Sequence, residues 1–178
     1  MTSPILSRAS AIELVAFDVD GVLTDGRLVL GSGGDEYKVF HSRDGQGFVM
    51  LREAAIQVAV ISGRSSPVVA ERMAQLGIEF VYQGCNDKLA VFAALLDRLG
   101  IGPERAAHVG DDLPDLAVMG RVGLAIAVAD AHPEVRRRAH WCTRLPGGRG
   151  AAREVCDLLL ESRGLLEPLT RRYAGEPP

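Results

Sequence analysis

The chain has 178 residues, 47% hydrophobic and 24% charged, with a formal net charge of −3 at pH 7. That size and balance fit one soluble domain with a sizeable core. The weak negative charge, with Arg136 to Arg138 as the only dense basic run, gives no basis for nucleic-acid binding.

No apolar run reaches membrane-spanning length and the first residues carry no basic-then-apolar leader, so no membrane association and a cytoplasmic location are expected. Cys85, Cys142 and Cys156 form no metal-ligand spacing and read as reduced thiols. Strands are predicted at 14–18, 57–61, 79–82, 106–110, 122–127 and near 140–142, with helices between them. This alternation predicts a three-layer, Rossmann-like α/β fold with a parallel sheet and right-handed crossovers. Its core is expected over about 12–166, with a polar, mobile tail over about 168–178.

The first strand, Val15-Ala16-Phe17, delivers Asp18 and Asp20 into a glycine-containing loop. Open α/β sheets place ligands just beyond the carboxyl ends of such strands, and buried carboxylates there require a cationic partner. The next segment, about 27–40, reads as a β-hairpin: Leu28 to Leu30, a glycine-rich turn at Gly31 to Gly34, then Tyr37 to Phe40. It is too short for a lid domain. Its strand edges and apolar residues would be unsatisfied in a monomer, which predicts a homo-oligomer.

Ser62 follows the run Val58 to Ile61, so its hydroxyl and nearby amides can bind an anion or cap the helix starting near Ser66-Pro67. Lys88 and Lys38 are the only lysines. Lys88 lies near the start of a helical run beginning about Asn86, where a cation opposes the helix dipole, so a phosphate contact is the better reading. The apolar run Ala106 to Val109 also ends in acids, Asp111 and Asp112, with Asp115 beyond. Asp112 and Asp115 read as acids standing behind the site or capping the next helix, and a purely helix-terminal role fits them as well as any direct one. His108, His132 and His140 have no partner at ligand spacing and read as structural. The stretch Gly147-Gly148-Arg149-Gly150 lacks the Gly-Lys-Ser/Thr ending of a phosphate loop and reads as a flexible turn into the final helix.

These residue types suit phosphate-ester hydrolysis. A phosphate ester repels nucleophiles, so a site must supply an attacking oxygen, neutralise charge and protonate the departing alcohol. Asp18 is expected to attack phosphorus, and Asp20 to give and later take a proton. Oxygen ligands without a His or Cys cluster point to Mg²⁺, with Asp18 and Asp111 as carboxylate ligands.

In order, DVDGV (Asp18, Asp20, Val22), Ser62 in VISGR, Lys88 in CNDK and Asp111 in GDDLPD resemble the motifs of the haloacid dehalogenase superfamily. The gaps between them leave room for no cap domain, so the chain resembles the small capless subfamily. That resemblance implies that Asp20 adds its backbone carbonyl to the metal. It also implies a tetramer whose neighbouring chains complete the site. RDG at 43–45, YQG at 82–84, VADAHP at 128–133 and GGRGAAREVCDLLL at 147–160 carry the closer resemblance. It implies a phosphatase of a keto sugar acid, acting in lipopolysaccharide inner-core synthesis. His41, Ser42, Arg43, Asp44 and Gly45 would contact the sugar acid, with Arg64 and Arg72 on its carboxylate or phosphate. By the same resemblance, Arg64 and Gln75 stand where relatives acting on nine-carbon substrates tend to carry Glu and Lys, which implies an eight-carbon substrate over a nine-carbon one. A catalytically silent oligomerisation module is the alternative from another class, disfavoured because Asp18, Asp20, Lys88 and Asp111 are all present.

Overall fold

Leu14–Phe17 (β1) is buried at every position because it is paired on both sides, with Gln57–Ile61 (β4) and with Ala106–Gly110 (β6). In this computed structural model, which describes residues 3–176, both pairings are parallel. A strand with two neighbours and two covered faces reads as a continuous apolar run, as LVAF does. Phe80–Tyr82 (β5), Leu124–Ala127 (β7) and Trp141–Cys142 (β8) complete a six-stranded sheet in the order β5-β4-β1-β6-β7-β8. All its pairings are parallel. The predicted α/β class and each of the six strands are thus present.

Helices cover the two faces. Pro4–Ser10 (α1), Ser42–Glu53 (α2) and Ala151–Ser162 (α7) pack together on one side, while Lys88–Leu99 (α4), Leu116–Met119 (α5) and Pro133–Arg138 (α6) pack on the other. Pro67–Gln75 (α3) links β4 to β5. Strand periodicity decides which side chains meet which layer. Phe17 points to α2, where its ring lies 5.0 Å from that of Phe48. Such an aromatic pair adds about 1 kcal/mol beyond the area it buries. His108 is on β6 opposite Ala16 and points the other way, to Phe92 of α4 at 6.4 Å. The same alternation carries Asp18, just past Phe17, toward α4 and its first residue, Lys88.

The predicted hairpin is present but shorter than its apolar runs suggested. Val29–Leu30 (β2) pairs antiparallel with Glu36–Tyr37 (β3), and the flanking residues are irregular. Leu28, Val29, Leu30, Tyr37 and Val39 are all exposed. Apart from this hairpin, only α2 lies between β1 and β4, and no cap domain interrupts the described residues.

Three local readings change. The segment expected as a tail from Pro168 is helical: Leu166–Tyr173 (α8) sets Leu166 and Leu169 against the core and pairs Arg172 with Glu53. The last two residues of that expected tail lie outside the described residues. A helix not foreseen, α1, starts with proline in its first turn, a position that suits proline's fixed φ. Finally, the stretch from Gly147 is clamped and not flexible. The Gly148 amide donates to Val22 O at 2.9 Å, and a Cβ on Gly147 would sit 1.7 Å from Gly21 O. Glycine is needed there for close approach to the active-site loop. The three cysteines are free.

Candidate active site

Three strand ends converge, as the sheet register requires. Phe17 is level with Val60 and Val109, so the residues after β1, β4 and β6 emerge side by side. The Asp18 amide continues the ladder by donating to Val109 O at 3.0 Å. Asp18 Oδ1 then accepts from the Val19 amide at 2.7 Å, and Oδ2 lies 2.8 Å from Lys88 Nζ. Asp20 stands two residues on, and Gly21 turns the loop with φ +93°. A Cβ on Gly21 would fall 2.1 Å from Asp111 Oδ2, so glycine serves both the turn and the space beside Asp111.

Lys88 is the first residue of α4, whose N-cap Asp87 accepts from the Ala90 amide at 3.0 Å. It is 6% exposed and bridges Asp18 Oδ2 and Asp115 Oδ1, both at 2.8 Å. Burial alone would pull its pKa down, but Asp18 and Asp115 outweigh that and raise it. The ammonium is therefore firmly charged. Asp115 resolves the choice left open by its sequence position, because it does both jobs. Its side chain takes part in a capping box with Asp112, and it is also fully buried against Lys88 and His108. His108 Nε2 lies 2.9 Å from Asp115 Oδ1, while Oδ2 accepts from the amides of Asp111 and Asp112 at 3.1 and 3.3 Å. Although burial works the other way, His108 and Lys88 hold the Asp115 carboxyl well below the usual carboxylate range. His108 is structural as expected, but its place is behind the site.

Asp18, Asp111 and Asp115 offer carboxylate oxygens within 4.8 Å of one another. At an effective dielectric near 20, two carboxylates at that spacing repel by roughly 3 kcal/mol. Lys88 alone does not neutralise three of them. Burial, then Asp18, Asp115 and Asp112, push Asp111 up to about 8. Burial first, then Asp115, also raises Asp18. Asp111 Oδ1 is buried and has no hydrogen-bond partner. An orphaned carboxylate oxygen in an acidic, oxygen-only cluster fits a hard divalent cation such as Mg²⁺. Asp18 and Asp111 would hold it, since Asp115 is already saturated by four donors.

Ser62 is buried at the end of β4 and its Oγ accepts from the Arg64 amide at 3.3 Å. It does not cap α3, whose N-cap is Ser66, so its hydroxyl proton is free for an anion. Arg64 reaches the site mouth, with Nε 3.6 Å from Asp20 Oδ2. Sequence reasoning missed the other cation there. Lys38, from the hairpin, sits on Asp20 Oδ1, and nothing in its local pattern pairs it with a residue 18 positions earlier.

The run 41–45 is not brought to this mouth within the chain. Asp44 is 4% exposed and turned inward, where Oδ1 accepts from the Arg153 amide at 2.8 Å and ties α2 to α7. Burial raises its pKa. The physical reason is helical periodicity, which places Asp44 on the inner face of α2. Gly45 is packed under Leu76 and Arg72, and His41 borders the same crevice. Arg43 lines a separate groove with Trp141 and Arg153. Ser42 opens α2, and no hydrogen bond from its side chain reaches the carboxylates among the described residues. Arg72 donates to Gln75 Oε1 at 3.4 Å with its guanidinium lying against Gly45 of α2, and among the described residues no hydrogen bond or ion pair joins Arg72 or Gln75 to the carboxylates of the site.

The geometry defines a class: a cap-free α/β fold with a buried lysine set among three carboxylates at the carboxyl edge of its parallel sheet. The sequence profile of haloacid dehalogenase-like hydrolases matches residues 32–123, and the chain belongs to that family. It is 49% identical to the 3-deoxy-D-manno-octulosonate 8-phosphate phosphatase KdsC of Escherichia coli K12 over 167 residues, which are 94% of this chain and 89% of that one. The crystal structure of the phosphatase of that name from Yersinia pestis superposes with a TM-score of 0.90 at 48% identity, covering 92% of this chain and 88% of that chain. The enzyme of the same name from Moraxella catarrhalis, solved in complex with magnesium, phosphate and KDO, gives 0.94 at 38% identity, with 97% and 99% covered.

Proposed function

We propose that this chain is a Mg²⁺-dependent phosphatase that hydrolyses 3-deoxy-D-manno-octulosonate 8-phosphate (Kdo 8-phosphate) to Kdo and inorganic phosphate, in lipopolysaccharide inner-core synthesis. The observation that carries the reading is the Asp18–Lys88 pair at 2.8 Å beside the partnerless oxygen of Asp111, in a chain so closely similar to phosphatases of that name.

Asp18 attacks phosphorus with one carboxylate oxygen, forming a new O–P bond as the ester P–O bond breaks. Asp20 gives its proton to the departing sugar oxygen, and then takes one from the water that cleaves the aspartyl-phosphate. Lys88 and the Ser62 hydroxyl hold the phosphoryl oxygens. When bound, Mg²⁺ would neutralise charge between Asp18 and phosphate and orient the phosphoryl group. Asp18 and Asp111 would hold it by their side chains, and Asp20 would add its backbone carbonyl.

Arg64, at the mouth, is the cation best placed for the substrate carboxylate. His41, Ser42, Arg43, Asp44, Gly45 and Arg72 serve substrate only indirectly, through the shape of the α2 end. The exposed apolar hairpin supports a homo-oligomer, proposed as a tetramer. Among the described residues no helix is long and apolar enough to cross a membrane; the cytoplasm is proposed as the place of work on a small sugar phosphate.

The test is Mg²⁺-dependent phosphate release from Kdo 8-phosphate beside a nine-carbon nonulosonate 9-phosphate and common sugar phosphates. Preference for the first is expected. Preference for the nine-carbon ester would keep the mechanism and overturn the substrate, and no release from any ester would leave the chain a silent assembly module.

A further inference from the structure

We infer that Lys38 is the positioning residue for the Asp20 carboxyl, and that the hairpin takes part in turnover through it. The inference rests on the reading of Asp20 as the acid that protonates the leaving group.

Lys38 follows β3, yet its side chain is 1% exposed. Burying an ammonium is costly unless it is paired and hydrogen-bonded. Here the partners are Asp20, whose Oδ1 accepts from Nζ, and Glu36, whose Oε1 lies 3.6 Å away. Arg64 closes the circle, with Nε 3.6 Å from Asp20 Oδ2 and Nη2 3.2 Å from Glu36 Oε1. Four alternating charges thus join the loop after β1, the hairpin and the loop after β4.

Within that circle Lys38 is the firm member. Arg64 is half-exposed and makes only a longer contact to Asp20, and among the described residues no other donor reaches the Asp20 carboxyl. Asp20 lies on a loop, so without Lys38 its carboxyl would turn freely toward water. A proton donor must stand within hydrogen-bond reach of the departing oxygen, and a displacement of about 1 Å is enough to lose most of its benefit. The hairpin is short and mostly exposed, but this one buried side chain makes it part of the machinery.

The experiment separates positioning of an acid from simple tethering of the hairpin. Lys38→Met and Lys38→Gln are compared with the unaltered chain, in Mg²⁺, on two esters: Kdo 8-phosphate, whose alcohol must be protonated to leave, and p-nitrophenyl phosphate, whose phenolate leaves unaided. The readout is kcat/KM, which reports the steps up to departure of the leaving group and excludes hydrolysis of the aspartyl-phosphate. Loss of an aligned general acid is worth about 10²-fold or more, so K38M is expected to lower kcat/KM for the sugar ester at least about 10-fold and for p-nitrophenyl phosphate less than about 3-fold. Lys38→Gln keeps an amide donor for Asp20 and should show the same separation at smaller size. Equal losses on both esters in both variants, or no loss on either, would overturn the inference. Asp20→Asn is run alongside. If it fails to separate the esters, the acid assignment itself falls and the inference with it. If it separates them while the Lys38 variants do not, only the role of Lys38 is lost.

Discussion

Lys88 Nζ and Asp115 Oδ1 meet at 2.8 Å in a part of the molecule where Asp115 has no exposed surface. Asp115 is the anchor that lets a buried lysine also face Asp18 at the same distance. Removing one member of a buried pair leaves the other charge uncompensated, at a cost of about 3–5 kcal/mol. Asp115→Ala is therefore expected to lower the urea midpoint by an amount of that order and to reduce turnover. His108→Phe keeps the packing against Phe92 but removes one partner of Asp115, and should cost about 1–3 kcal/mol. Equal stability of Asp115→Ala and the parent in urea unfolding would mean that the Lys88 charge is not held as described.

Asp18→Asn should separate stability from activity. The substitution removes the proposed nucleophile, so Mg²⁺-dependent turnover should fall to background. It also removes one of three crowded carboxylates while leaving Lys88 its contact with Asp115. The melting temperature without metal should accordingly hold or rise, as happens where like charges are stored for function. Residual turnover near the parent rate in a clean preparation would sink the nucleophile assignment.

Linkage at Asp111 predicts how Mg²⁺ binding follows pH. Burial, then its acidic neighbours, raise its folded value to about 8 from an ordinary 3.8. Between those values the folded chain retains a proton that the unfolded chain has released, so stability without metal falls as pH climbs toward 8. Mg²⁺ replaces that proton, and its stabilising effect should grow with pH. The rise in melting temperature caused by Mg²⁺ should be larger at about pH 8.5 than at about pH 6. Asp115 acts with the opposite sign. Its depressed value contributes stability above the ordinary carboxylate range that is lost as pH falls through its folded pKa. An Mg²⁺ effect independent of pH would remove Asp111 from the ligand set.

Leu30 and Val39, 67% and 74% exposed on the hairpin, test the assembly. Substituting both with glutamate adds no strain to an exposed ribbon but opposes apolar docking. Sedimentation should show the parent as an oligomer and the double variant as smaller species. A parent that is monomeric and fully active would mean that the site needs no neighbour.

Much of the site was legible because its members end apolar runs. Asp18 after β1, Ser62 after β4 and Asp111 after β6 are each announced by four or five consecutive buried residues, and a parallel sheet brings such ends together by register. Lys88 was legible because a cation in a helix's first turn has no local reason to be there. Asp44 misled for the converse reason. It lies in a segment that resembles a substrate loop, but it occupies the inner face of α2 and is spent on the Arg153 amide, 109 residues away.

By itself the sequence determined where the six strands lie along the chain, the absence of room for a cap and which residues are candidates for nucleophile, acid, lysine and metal ligands. Each of these is local, set by hydrophobic periodicity and by side-chain chemistry at a strand's end. Only the tertiary structure decided that Asp115 secures Lys88 from behind with His108, that Lys38 of the hairpin claims Asp20, and that Gly147 must be glycine to let one loop lie on another. Those relationships join residues far apart in the chain. They depend on distances of a few ångströms that no local pattern encodes, because charge pairing and close packing are set by where the fold brings side chains.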